Sequence, residues 1–117
     1  MGKEKETEKL SIIKAELARL ARIKTARTKT WTSQRPTHWR PEQIIDPRTG
    51  LPFTPDAAWD FVAEKLEDEK TIINEITMRQ PKGKKGYEFH VDIEKSVIYI
   101  KLQFGNGGKI IGRSFHD

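Results

Sequence analysis

Residues 87–116 carry three runs of β-forming side chains: Tyr87-Glu-Phe-His-Val-Asp-Ile93, then Val97-Ile-Tyr-Ile-Lys-Leu-Gln-Phe104, and, after Gly105-Asn-Gly-Gly108, Lys109-Ile-Ile-Gly-Arg-Ser-Phe-His116. The last two runs flank Asn106-Gly107, the strongest short-range hairpin signal, because both central residues of a type I′ turn need φ > 0. A two-residue turn there sets Leu102 opposite Ile111 and Ile98 opposite Phe115, which makes one apolar face. Side chains alternate with period two, so the other face carries Tyr99, Lys101, Ser114 and His116. The first run has Tyr87, Phe89, Val91 and Ile93 on its apolar parity, leaving Glu88, His90 and Asp92 on the other. A short turn near Glu94-Lys95 then sets His90 beside Tyr99 and Glu88 beside Lys101. One open face of a meander is thereby expected to hold Glu88, His90, Tyr99, Lys101, Ser114 and His116, and this face is the candidate site. An antiparallel sheet with one wet polar face shows the same alternation without any function. The concentration of both tyrosines and two of the three histidines in this segment is what singles it out.

Upstream, Ile72 to Met78 reads as a first strand, with Ile72, Ile76 and Met78 on one parity. Residues 80–86 form a loop carrying Lys82, Lys84 and Lys85, which widens a positive surface beside the candidate site. Thr54-Pro55-Asp56 opens a helix, with Thr54 as N-cap and Pro55 in the first turn. Trp59, Val62, Ala63 and Leu66 form its core face. Asp46-Pro47-Arg48-Thr49-Gly50 reads as a turn, and Ile44-Ile45 as a short strand or a core plug. Near the start, Glu4 to Arg27 reads as a helix: Leu10, Ile13, Leu17 and Leu20 form one stripe, and Ala15, Ala18 and Ala21 favour helix. That stripe suits packing on its own domain or on another chain's helix. From Ala18 to Arg40 there is no acidic residue, while Arg19, Arg22, Lys24, Arg27, Lys29, Arg35 and Arg40 are basic, with Trp31, His38 and Trp39 interleaved. Cations for phosphates and rings for unpaired bases suit a single-stranded nucleic acid. A linker whose tryptophans close over the core is the alternative.

A chain of 117 residues is expected to form one compact unit. Within it, residues 1–53 supply a helix and a basic, Trp- and Pro-containing linker, and 54–117 supply a helix and the sheet. Hydrophobic residues make up only 35% and charged ones 33%, so part of the chain is expected outside the core. The absence of cysteine excludes disulfides and thiolate metal sites, and three scattered histidines argue against structural zinc. No cofactor or metal is expected. No apolar run reaches membrane-spanning length and no signal-peptide core is present, so a cytoplasmic protein with no membrane partner is expected. The net charge of +5 favours an anionic partner.

The expected architecture is α+β: two helical segments on one face of a four-stranded antiparallel meander, the other face left for function. Ile98-Tyr99-Ile100-Lys101, a hairpin, then Ser114-Phe115-His116 resemble the small ribonuclease fold of RelE and MqsR toxins, barnase and colicin-type nucleases. The likeness lies closest to MqsR-like mRNA interferases and covers roughly residues 56–116. The resemblance implies an endoribonuclease toxin of a toxin–antitoxin system, held by an acidic antitoxin or immunity protein. In that family a strand tyrosine and a basic residue after Ser-Phe belong to the active site, and these positions fall on Tyr99 and His116; the family has lysine where this chain has His116. Metal-independent cleavage needs a base for the 2′-hydroxyl proton, an acid for the leaving oxygen and cations for the developing charge. Imidazole serves as either acid or base near neutrality. The expected catalytic set is His116 and His90 as acid/base pair, Tyr99 on the phosphate, Lys101 or Arg113 for charge, and Glu88 as an alternative base. By parity Arg113 belongs with the core unless a bulge near Gly112 turns it outward. The expected RNA-binding residues are Arg27, Lys29, Trp31, Arg35, Trp39, Arg40, Lys82, Lys84 and Lys85. Two other classes compete: a non-catalytic RNA- or ssDNA-binding module, and a docking inhibitor whose N-terminal helix self-associates or binds a partner. The docking reading requires that removing residues 1–27 leave the sheet folded.

Overall fold

The computed structural model describes residues 2–29, 38–78, 83–94 and 96–117, with backbone alone at 2–7 and 29. Helix α1 runs Gly2–Arg22 and is followed by a 3₁₀ turn, Lys24–Ala26. Two short strands come next, β1 (Arg27–Lys29) and β2 (His38–Trp39), then a 3₁₀ turn at Pro41–Gln43. Helix α2 spans Pro55–Glu67, and β3 (Asn74–Thr77), β4 (Lys85–Ile93), β5 (Ser96–Gly105) and β6 (Lys109–His116) complete the sheet. The class is α+β, and β3 to β6 form the expected antiparallel meander. Among the described residues the sheet is mixed and six-stranded, not a four-stranded antiparallel meander alone. β1 and β2 share the outer edge of β6, both parallel to it, pairing Arg27–Lys29 with Ile110–Gly112 and His38–Trp39 with Ser114–Phe115.

The first helix therefore ends at Arg22 rather than Arg27, because the following residues pair with β6 instead of continuing the helix. Its stripe packs inward: Leu17, Leu20 and Ala21 are buried, with Leu10 and Ile13 packed against the same core. The second helix starts as expected, with Thr54 Oγ1 accepting the Ala57 amide at 3.1 Å and Pro55 in the first turn. Asp46 accepts the Gly50 amide through its carbonyl at 2.8 Å, closing the expected turn, and Gly50 takes φ 76. Ile44 is buried and Ile45 is exposed and bridges Pro52.

One hydrophobic cluster joins both helices to the sheet, from Leu17 and Phe61 to Phe89, Ile98, Ile100, Leu102, Ile110 and Phe115. At its centre Trp39 lies 4.7 Å from Trp59 and 5.4 Å from Phe115, centroid to centroid. Trp39 also lies flat on Gly112, where an added Cβ would stand 2.6 Å from the indole.

Register departs from expectation at the last hairpin, and a second shift then restores the expected faces without restoring the expected partners. The positive φ values fall on Gly107 and Gly108, not on Asn106 and Gly107, so the loop is Asn106–Gly108 and Gly105 faces Lys109. Leu102 accordingly faces Gly112, not Ile111, and Ile98 does not face Phe115. A bulge then places Arg113 between Gly112, opposite Leu102, and Ser114, opposite Lys101. Two one-residue shifts sum to an even shift, which restores the side-chain alternation. The first hairpin matches expectation: Ile93 faces Ser96, His90 faces Tyr99, and Glu88 faces Lys101. In β3 the parity of Ile76 lies with Gly86 and that of Asn74 with Glu88, so the apolar parity of this strand stands on the outer side of the sheet. Ile72 is 77% exposed and Ile73 is the residue that enters the core.

Candidate active site

The polar face of the sheet lies opposite the helices. Cross-strand partners point to the same side, so His90–Tyr99–His116 and Glu88–Lys101–Ser114 are two adjacent rows across β4, β5 and β6. The second row continues onto β2, where His38 pairs with Ser114. All six expected face residues are thereby brought together, and the chain's third histidine joins them. The rings form a continuous series: His90 to Tyr99 at 5.2 Å, Tyr99 to His116 at 5.4 Å and His116 to His38 at 5.9 Å between centroids.

What aims these rings is the core beneath them. Trp39 and Phe115 are register partners, both buried in the aromatic cluster. Their neighbours His38 and His116 must therefore face the other way. Further support comes from the Arg40 amide, which donates to the Phe115 carbonyl at 2.9 Å.

The Tyr99 hydroxyl donates to the Glu88 carboxylate. Burial first, then that hydrogen bond and the adjacent negative charge, push the phenol far above its ordinary value. Tyr99 is therefore a neutral hydrogen-bonding group, and Glu88 is committed to accepting from it. Lys101 Nζ lies 5.6 Å over the Tyr99 ring, a cation–π arrangement that keeps one positive charge beside the row. His116 Nδ1 lies 3.2 Å from the main-chain oxygen of Asp117. That oxygen accepts only, so in the neutral ring the contact sets the proton on Nδ1 and the lone pair on Nε2.

The bulge turns Arg113 outward, where its Nε donates to Gln103 Oε1 at 2.8 Å. Gln103 is two residues from Lys101 on β5 and is only 4% exposed. Burial lowers the Arg113 pKa, but a guanidinium stays charged. Gln103 was not anticipated, because a lone strand glutamine carries no sequence signal. His38 carries no site signal in the sequence for a different reason: a two-residue parallel strand has no local signature.

The expected RNA-binding residues are divided by the fold. Arg27 lies on the helix side, its side chain 6% exposed, donating to Ala21 O at 2.8 Å, Asp56 at 3.0 Å and Asp60 at 2.7 Å. Trp39 is a core residue, 3% exposed, so it has no face for stacking a base; the reading in which a tryptophan closes over the core is the one realised there. Arg40 is half-buried beside β2. Lys84 and Lys85 are exposed, Lys85 bonding Thr77 and lying 3.9 Å from Glu75. Trp31, Arg35, Lys82 and the side chain of Lys29 lie outside the described residues.

Among the described residues no three histidine, aspartate or glutamate side chains are grouped so as to hold a metal ion, and no helix is long and apolar enough to cross a membrane. Compared with protein-family models, with curated proteins and with solved structures, the chain shows no match.

Proposed function

We propose that this protein is a metal-independent endoribonuclease that cleaves single-stranded RNA on the open face of its sheet. The observation that carries the reading is the ring series His90–Tyr99–His116–His38, which places every histidine of the chain on one polar face. In the reaction His116 takes the proton of a ribose 2′-hydroxyl. The 2′-oxygen attacks the adjacent phosphorus, and the P–O5′ bond breaks as that oxygen is protonated. The products are a 2′,3′-cyclic phosphate and a 5′-hydroxyl. Tyr99 donates no proton in this scheme; it walls the site and fixes Glu88. Lys101 supplies positive charge for the phosphorane-like transition state, an electrostatic contribution aimed at charge as it develops. A net charge of +5 attracts the polyanion and also suits an acidic inhibitor protein that covers the face, with fast, salt-sensitive association.

Purified protein incubated with a long single-stranded RNA in EDTA, beside a His90→Ala/His116→Ala variant, tests the reading. Cleavage by the parent alone, leaving cyclic-phosphate or 3′-phosphate ends, is expected. Intact RNA with equal, salt-dependent binding by both proteins would replace the enzyme with a binding module. The binding module has the weaker support, since Trp39 and Arg27, two of the residues it needs, are engaged in the core and between the helices.

A further inference from the structure

We infer that the partner of His116 in acid–base catalysis is His38, with His116 as general base and His38 as general acid; this rests on the ribonuclease reading above. His90 and His116 sit on β4 and β6 with β5 between them, about 10 Å apart at two strand spacings, and the Tyr99 ring stands in the gap. The base must come within about 3 Å of the 2′-hydroxyl and the acid within about 3 Å of O5′, with the phosphorus between those two oxygens. Between His90 and His116 that space is taken by the Tyr99 ring. His38 and His116 are immediate neighbours, 5.9 Å between centroids and tilted by 54°, with no side chain of the meander between them. His38 is exposed and His116 half-buried.

Hydrogen bonding assigns the role of His116, and the acid role then falls to its neighbour. His116 Nδ1–H is held by the Asp117 main-chain oxygen, which leaves the Nε2 lone pair to accept the 2′-hydroxyl proton. His38, on the exposed edge strand, gives its proton to the O5′ leaving group. After one turnover His116 is protonated and His38 neutral, and exchange with solvent restores both. Among the described residues, the charged or titratable side chains facing this pair are Tyr99 and Lys101 from β5, and Ser114 is the register partner of His38.

The full-length chain and the single variants His38→Ala, His90→Ala and His116→Ala are assayed on a single-stranded RNA and on uridine 3′-(4-nitrophenyl) phosphate. The nitrophenolate needs no acid to leave. On RNA, His38→Ala and His116→Ala are each expected to lose about 10²–10⁴-fold in kcat/KM, and His90→Ala to lose far less. On the nitrophenyl ester, His38→Ala recovers to near the parent rate and His116→Ala does not. The bell-shaped pH–rate profile on RNA loses its alkaline limb in His38→Ala, because that limb reports the acid. His38→Ala that cleaves RNA like the parent while His90→Ala is inactive overturns the assignment and returns His90 to the pair. His38→Ala equally impaired on both substrates overturns the acid role. A parent chain that cleaves neither substrate removes the ribonuclease reading itself, a failure distinct from the other two.

Discussion

At the residue scale, the group that decides the chemistry of the face is Tyr99. Its position between two imidazoles suggests a proton donor to substrate, but its hydroxyl is already donated to Glu88. Ionising it would expel a proton from a bond to a carboxylate and place two negative charges side by side. Tyr87, the other tyrosine, is also shifted upward, mainly by burial and secondarily by Glu75. Both phenols in the chain are therefore held neutral past the ordinary value of 10.0. The linkage has a definite sign. In the unfolded chain the phenols ionise around pH 10, whereas in the fold they resist. Their stabilising contribution is complete below that pH and is lost as pH rises above it. A near-ultraviolet titration of phenolate absorbance is expected to show no ionisation near pH 10 in the native protein and two phenolates once urea is added. Tyr99→Phe is expected to lessen the alkaline loss of stability. Two phenols ionising normally in the native state would show that the Tyr99–Glu88 bond is not formed in solution, and would free Glu88 to act as a base.

At the element scale, the sheet's outer edge determines what the basic segment does. Arg27 was expected to meet RNA, yet it stands at the junction of α1, β1 and α2, holding a helix-end carbonyl and two carboxylates. Exposed ion pairs contribute 0–1 kcal/mol, and breaking a fully buried pair costs 3–5 kcal/mol. Here the guanidinium is buried and its partners are half exposed, so Arg27→Met is expected to lower unfolding free energy by about 2 kcal/mol, between those limits. The urea midpoint measures this. An unchanged midpoint with weakened RNA binding would restore the nucleic-acid role. The same edge explains what was legible in the sequence. Antiparallel strands β4 to β6 announce themselves through alternation and intervening turns, so the face of Glu88, His90, Tyr99, Lys101, Ser114 and His116 was readable. It was readable even though the Asn106-Gly107 register was off by one, because the bulge at Arg113 supplied a compensating second shift. Strands of three and two residues, paired in parallel with a segment some eighty positions away, leave no periodicity to detect. His38 and the burial of Trp39 were hidden for that reason. In β3 the alternation marked a strand but not its inner face: Ile76 and Met78 cover Gly86 on the outer side.

At the scale of the whole molecule, the two helices and the sheet share one core, so no layer is separable. The leucine stripe of α1 leaves Leu17 at 0% and Leu20 at 3% exposure, with Ala21 fully buried beside them. Fully burying a leucine contributes about 1.5–3 kcal/mol, and a small domain is stable by only about 5–15 kcal/mol. Removing residues 1–27 would delete both leucines, the Arg27 junction and the first residue of the parallel edge, and would expose the faces of α2 and β6 that they cover. That chain is expected to show no cooperative thermal transition and to expose its core to hydrophobic dyes. Removing residues 1–9 deletes nothing of the buried stripe, and is expected to preserve the transition and any RNA cleavage. The docking-helix reading demands the opposite of the longer truncation: a folded sheet that has merely lost its partner. A cooperative transition in the chain lacking residues 1–27 would mean that α1 is an appendage free to bind elsewhere. Its loss would mean that the helix exists to support, from behind, the sheet on which the histidines stand.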